Sequence, residues 1–196
     1  MPDCPFPVTS RLPQVGTTIF TVMSALAREC GAINLSQGYP DFDADDELFA
    51  RVAHWMRSGQ NQYAPMSGVA PLREAIVAKT AALYGTQYDA NDEVTVTAGA
   101  TQALFTAIAA LVQPGDEVVI FEPAYDSYAP AIELQGGVVR RVRLQAPDYR
   151  PDWDAVRALV GPRTRMVIVN TPHNPTATVW TAADLDALAG CLRDTW

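Results

Sequence analysis

Apolar residues in the first third of the chain recur at helical spacing. Ile19, Met23, Leu26, Ala27 and Cys30 fall on one face, and Gly31 follows as a left-handed stop. Leu48, Val52, Trp55 and Met56 predict a second helix with this side buried, ending at Gly59. Pro71 suits the first turn of a third helix, which groups Leu72, Ile76 and Leu83 and stops at Gly85. Before these, Met1 to Pro13 carries four prolines and no periodicity, so an extended arm is expected.

From Glu93 onward, strand patterns alternate with helical ones. Glu93–Thr97 alternates with a period of two, and Thr101–Val112 reads as a helix closed by Pro114-Gly115. Glu117–Phe121 is a continuous Val/Ile/Phe run, the pattern of a strand buried on both faces. Tyr125–Gln135 is expected to be helical, and Gly136-Gly137 turns the chain into a strand, Val138–Leu144, with Arg141 and Arg143 on one face. Asp152 caps a short helix carrying Trp153, Val156 and Leu159. Arg165–Asn170 is another buried strand, and Thr181 with Asp184 caps a helix that aligns Leu185, Leu188 and Leu192. This alternation predicts an α/β fold of three layers, α/β/α, around a mainly parallel sheet. The pattern breaks off after a helix at Trp196, so an unfinished domain is expected.

Composition narrows the function. The 196 residues are 48% hydrophobic and 18% charged, enough for a packed core. With 22 acids against 14 bases, the net charge is −8 and no basic stripe exists for a phosphate backbone, which argues against nucleic acid. The longest mostly apolar run, Ala103–Val112, is too short to cross a bilayer, and the start shows no signal-peptide pattern. Cys4, Cys30 and Cys191 match neither a disulfide framework nor zinc spacing. These features lead us to expect a soluble, cytoplasmic protein. Thirteen of the 14 bases are arginines, so Lys79 is the only lysine available to any mechanism that needs an amine.

Ligands of open parallel sheets bind at the carboxyl ends of the strands, and three such ends carry unusual residues. Thr97-Ala98-Gly99-Ala100-Thr101 joins a strand to a helix, with small side chains, free helix-start N–H groups and a hydroxyl that suit an anion. A tight turn needing Gly99 would look the same. Glu122-Pro123-Ala124-Tyr125 offers an aromatic ring for a flat heterocycle, although Tyr125 and Tyr128 could simply pack together. In Asn170-Thr171-Pro172-His173-Asn174-Pro175 the prolines restrict the backbone and aim the Asn174 amide, a pattern shared with plain turns. His173 is either an acid–base group or a half-exposed loop histidine. His54 reads as structural, and neither histidine suggests a metal. There is no Gly-x-Ser-x-Gly elbow and no dinucleotide fingerprint, and Asp41, Asp43, Asp45 and Asp46 lack the rest of a calcium loop.

Taken in order, Asn34–Phe42, Asn61-Gln62-Tyr63, Thr97–Thr101, Glu122–Asp126 and Asn170–Pro175 resemble the class I/II aminotransferases, pyridoxal 5'-phosphate enzymes of fold type I, in their methionine and kynurenine branch. The resemblance implies that Gly99, Ala100 and Thr101 hold the cofactor phosphate, Tyr125 stacks on the pyridine ring and Asn174 bonds the ring's phenolic oxygen. Gly38 would meet the substrate carboxylate, Tyr39 and Asn174 would line the substrate site, and Tyr63 would reach the phosphate of a partner subunit in a homodimer. Residues 1–45 would form the arm and part of a small domain, and residues 46–196 an incomplete cofactor-binding large domain. The substrates implied are a bulky apolar or aromatic L-amino acid, methionine among them, and a 2-oxo acid. The resemblance also implies a cis Asn174-Pro175 bond.

Two departures stand out. Ala177 occupies a position where the family usually has glycine. The family's Schiff-base lysine, its aspartate for the ring nitrogen and its carboxylate-binding arginine normally lie beyond residue 196, and Lys79, in a helix before the first strand, is no substitute. No catalytic residue is therefore assigned, and the 196-residue chain alone is expected to be inactive. A non-catalytic cofactor-binding module, or a C–S lyase or synthase of the same fold, would carry the same motifs.

Overall fold

The computed structural model describes residues 9–38, 40 and 42–193. Tyr39, expected at the substrate site, lies outside these, as do Cys4 and the start of the arm. The chain forms two compact units. One is Thr18–Gly99, and the other joins the described part of the arm to the chain from Ala100 onward.

The second unit is built on a parallel sheet. The strand β1 (Glu117–Glu122) lies between β2 (Val138–Arg143) and β3 (Thr164–Val167), with Val119 paired to Arg140 on one side and Val167 on the other. Its side chains alternate between two cores. Val118 and Ile120 pack with Ile108 and Val112 at the end of α4 (Gly99–Leu111) and with Tyr128, Ala131 and Ile132 of α5 (Tyr128–Leu134). Val119 and Phe121 pack on the opposite face with Val156 of α6 (Trp153–Leu159), Cys191 of α7 (Ala182–Arg193) and Trp180. The three-layer arrangement expected from the alternation is thus present. Both predicted caps form as well. Asp152 accepts from the Asp154 and Ala155 amides, and Thr181 and Asp184 each accept from the other's backbone N–H.

At the amino end of the sheet, Glu117 is buried beneath a cation pair. Its Oε1 accepts from Arg163 Nη2 at 2.7 Å and Nε at 3.1 Å, and Arg140 Nε lies 3.5 Å from Oε2. Nearby, Arg165 pairs with Asp116 at 3.2 Å.

The Thr18–Gly99 unit holds α1 (Ile19–Glu29), α2 (Asp46–Arg57) and α3 (Ala70–Tyr84). Gly31, Gly59 and Gly85 follow them with positive φ, as expected of stops. Arg73 is the buried hub. Its guanidinium donates to the carbonyls of Gly68, Ala90 and Asn91 and so ties α3 to two loops.

Several expectations need correction. Leu48, Val52, Trp55 and Met56 are all more than half exposed, and Leu72, Ile76, Leu83, Ile19, Met23 and Leu26 are exposed as well. The helical spacing located the apolar faces, but these side chains remain largely in contact with solvent. Glu93–Thr97 is not a ladder strand. Val96 N–H donates to the Ser67 carbonyl at 3.0 Å, in a close contact with Gly68. The helix expected from Tyr125 starts at Tyr128, after a turn closed by the Tyr128 N–H to Tyr125 carbonyl bond, which puts Pro130 in its first turn, where a missing N–H does no harm. The strand expected through Asn170 ends at Val167, with one further bond from Ile168 N–H to Val119.

A Cβ added at Gly137 would lie 2.7 Å from Val112 Cγ1 and 2.9 Å from Ile132 Cγ2, inside a packed core, whereas Gly190 in α7 faces open space. Gly137→Ala is therefore expected to lower the unfolding free energy by about 1–3 kcal/mol. Gly190→Ala is expected to raise it by about 0.5–1 kcal/mol. Urea midpoints of the two variants check both signs.

Candidate functional site

Parallel strands share their carboxyl end, so the segments leaving β1 and β3 emerge side by side. After β1, Tyr125 is half-buried and packs edge-on against Tyr128, with ring centroids 5.9 Å apart and planes at 64°. Burial, reinforced by Tyr125, pushes the Tyr128 phenol above its ordinary pKa, so it stays protonated. The Tyr125 hydroxyl lies 3.5 Å from Thr101 Oγ1. This tyrosine therefore packs as the bland reading expects, and it also meets the first turn of α4.

That first turn is organised by Gly99, whose φ of 81° only glycine adopts without strain. Its N–H donates to the Thr97 carbonyl at 2.8 Å, while Thr97 Oγ1 donates to the Gly99 carbonyl at 3.0 Å. The Ala100 and Thr101 amides follow in the turn whose N–H groups have no intrahelical acceptor.

The loop after β3 is a compact knot. Asn174 N–H donates to Asn170 Oδ1 at 2.7 Å, and the Asn174 side chain is exposed. His173 N–H donates to the Thr178 carbonyl at 2.9 Å, and Ala177 N–H donates back to the His173 carbonyl at 2.7 Å. The Asn174-Pro175 bond is cis, as expected, and Ala177 has a φ of 60°, the left-handed conformation that glycine would accept freely. His173 is only 4% exposed, not half-exposed as expected, and its Nδ1 lies 2.8 Å from Thr176 Oγ1. Burial, only partly opposed by the Phe121 main chain, holds its pKa below the ordinary histidine value, so it is neutral at pH 7.

The remaining expected residues belong to the Thr18–Gly99 unit. Gly38 lies in an open loop and Tyr63 is fully exposed. The loop before Gly38 is shaped by Asn34, which the sequence motif did not single out for this role. Its Oδ1 accepts from the Ser36 amide and hydroxyl, and its Nδ2 donates to Ser24 of α1. Lys79 is exposed on α3. Among the described residues no cluster of His, Cys, Asp or Glu could hold a metal, and no helix is long and apolar enough to cross a membrane.

The donor set suits a phosphorylated heteroaromatic ligand. Thr101 and the helix amides fit a phosphate, Tyr125 offers an aromatic face, and the exposed Asn174 amide can donate to a ring oxygen. Comparison with known proteins identifies a family. Residues 31–194 match the family described as aminotransferase class I and II. The chain is 61% identical over 188 residues to methionine aminotransferase of Escherichia coli, covering 96% of this chain and 49% of the relative. It is 46% identical to a probable N-succinyldiaminopimelate aminotransferase of Mycobacterium tuberculosis, covering 92% and 46%. A crystal structure of an E. coli protein with a methionine aminotransferase function superposes with a TM-score of 0.93 at 59% identity, covering 97% of this chain and 50% of that one. The chain therefore spans about half the length of the curated relatives it matches.

Two predictions follow from the loop after β3. Ala177→Gly relieves a left-handed alanine costing about 1–2 kcal/mol but frees the unfolded chain by about 0.4–1 kcal/mol, so thermal unfolding is expected to show a net gain of up to about 1.6 kcal/mol. The second concerns pH. The unfolded chain takes up a proton on His173 near pH 6.5, whereas the folded chain does so only at lower pH. Stability from this group is thus fully present above about pH 6.5 and is lost as pH falls through the folded value. Asp116 and Asp184 are held below the ordinary carboxylate range, chiefly by backbone hydrogen bonds at Gln113 and Thr181, and so titrate at lower pH. Urea unfolding between pH 7 and 5 is expected to show the loss, and His173→Gln is expected to flatten it.

Proposed function

The chain belongs to the class I and II aminotransferases, and on that premise we propose that it forms the amino-terminal part of a pyridoxal 5'-phosphate-dependent enzyme. The enzyme would move the amino group of a bulky apolar or aromatic L-amino acid, methionine foremost, to a 2-oxo acid. The 61% identity to a methionine aminotransferase supports that donor class. The observation that carries the reading is the meeting of Thr101 and Tyr125 at the start of α4.

In this reading the Gly99, Ala100 and Thr101 turn holds the cofactor phosphate through backbone amides and a hydroxyl. Tyr125 supplies an aromatic face for the ring. Asn174 donates its amide to the ring oxygen and also borders the substrate. Gly38 and Tyr39 receive the amino acid, and Tyr63 reaches the phosphate site of a second subunit in a homodimer. Residues 1–45 contribute the arm and part of a small domain, and residues 46–196 the large domain. When bound, the cofactor supplies an electron-accepting ring for proton removal at the substrate α-carbon. The tethering amine comes from outside this sequence, because Lys79 sits exposed on a helix with no site residue beside it in sequence.

Equilibrium dialysis of pyridoxal 5'-phosphate, with the chain paired with the second half of the E. coli relative, tests the reading. Thr101→Val removes a hydrogen bond to a charged group worth about 1.5–3 kcal/mol, so binding is expected to weaken at least tenfold, while Lys79→Arg leaves it unchanged. The same assembly is expected to deaminate methionine faster than aspartate. Thr101→Val binding as tightly as the native chain would overturn the site assignment.

A further inference from the structure

We propose that Arg73 is a positioning residue for the turn that opens α4: its buried guanidinium closes a circuit of main-chain hydrogen bonds that fixes where Thr97 and Gly99 lie. That this turn meets a phosphate rests on the cofactor reading above, whereas the circuit itself does not.

Arg73 lies near the start of α3 and is buried. Two of its nitrogens serve two loops. Nε donates to the Gly68 carbonyl at 3.2 Å, just before the helix. Nη1 donates to the Ala90 carbonyl and, at 3.3 Å, to that of Asn91. The segment leaving the second loop then returns to the first, where Val96 N–H donates to the Ser67 carbonyl at 3.0 Å. Contact there is tight, because a Cβ added at Gly68 would lie 2.7 Å from Val96 Cγ2. Both loops are braced locally as well. Gly68 N–H donates to the Pro65 carbonyl at 2.8 Å, and the Asn91 amide donates to Asp89 Oδ1 at 2.6 Å. Residues 92–96 are therefore held at their start by Arg73 and at their end by the neighbour of Gly68, which Arg73 also holds.

Thr97 follows Val96 directly and makes both bonds of the turn with Gly99. A turn this short cannot choose its own place; it lies where Val96 delivers it. Arg73 reaches it only through main-chain atoms, so its part is to hold geometry and not to touch a ligand. Methionine at position 73 would fill much of the space but leave the Gly68, Ala90 and Asn91 carbonyls without this donor. Lysine keeps the charge and can serve some of these carbonyls, but one nitrogen on a flexible stem replaces several donors at fixed angles.

The test compares Arg73→Met with Arg73→Lys in the whole chain. Hydrogen exchange at the Val96 and Gly99 amides is expected to accelerate at least tenfold in the methionine variant and about threefold in the lysine variant. The Ala78 and Ala81 amides in the body of α3 should stay unchanged in both. Dialysis in the paired assembly is expected to show pyridoxal 5'-phosphate binding weakened about tenfold by methionine and about threefold by lysine. Unaltered exchange at Val96 and Gly99, equal acceleration in α3, or lysine behaving no better than methionine would each overturn the proposal. So would native affinity for the cofactor in a methionine variant whose Val96 and Gly99 amides exchange fast. If the variants showed the exchange pattern but the native assembly bound no cofactor, the circuit would stand and the functional reading would fall.

Discussion

The structure of the Ala100–Arg193 region depends on one constraint: β1 is hydrogen-bonded along both edges and covered on both faces. Its four central side chains, Val118 to Phe121, are at most 3% exposed. Burying each contributes roughly 1.5–3 kcal/mol as an upper estimate. A strand held this way cannot shift by one residue without exchanging the contents of the two cores. With β1 fixed, its parallel partners must end on the same side, and the segments that follow them converge. The proximity of the loops that leave β1 and β3 is a by-product of core packing.

Polar anchors set the ends of this scaffold. At the amino edge, Glu117 is buried against Arg163 and Arg140, and removing one partner would strand a charge away from water. At the carboxyl edge no charge is involved: the Phe121 ring meets Trp180 edge-on, and the Trp180 N–H donates to Thr171 Oγ1. In the Thr18–Gly99 unit, Arg73 does similar work by spending its donors on backbone carbonyls. Each anchor holds segments distant in sequence where apolar contact alone would leave them free to slide.

Local chemistry was readable directly from the chain. Glu117–Phe121 showed a doubly buried strand because parallel sheets exclude water from both faces. Asp152 and Thr181 marked helix starts, and Gly31, Gly59 and Gly85 marked ends, because caps and stops act within a few residues. The Thr101 and Tyr125 neighbourhood was expected from strand-end logic and the family resemblance, and the structure brings those two side chains within 3.5 Å. What escaped was non-local. Periodicity identified the apolar side of α2 but could not say whether anything covers it. Glu93–Thr97 has a strand's alternation but lacks a ladder partner, and a strand is defined by its partner. The Glu117–Arg163 bond spans 46 positions, and nothing near either residue announces it. His173 looked like an ordinary loop histidine, because nothing next to it in sequence announces its burial.

The scarcity of amines has a practical side. Lys79 carries the only lysine side chain in the sequence and stands exposed on α3. Amine-directed dyes, cross-linkers and immobilisation resins would therefore find a single side-chain handle on this polypeptide. Conjugation there would leave the hydroxyls of Thr101 and Tyr125 and the amide of Asn174 chemically untouched.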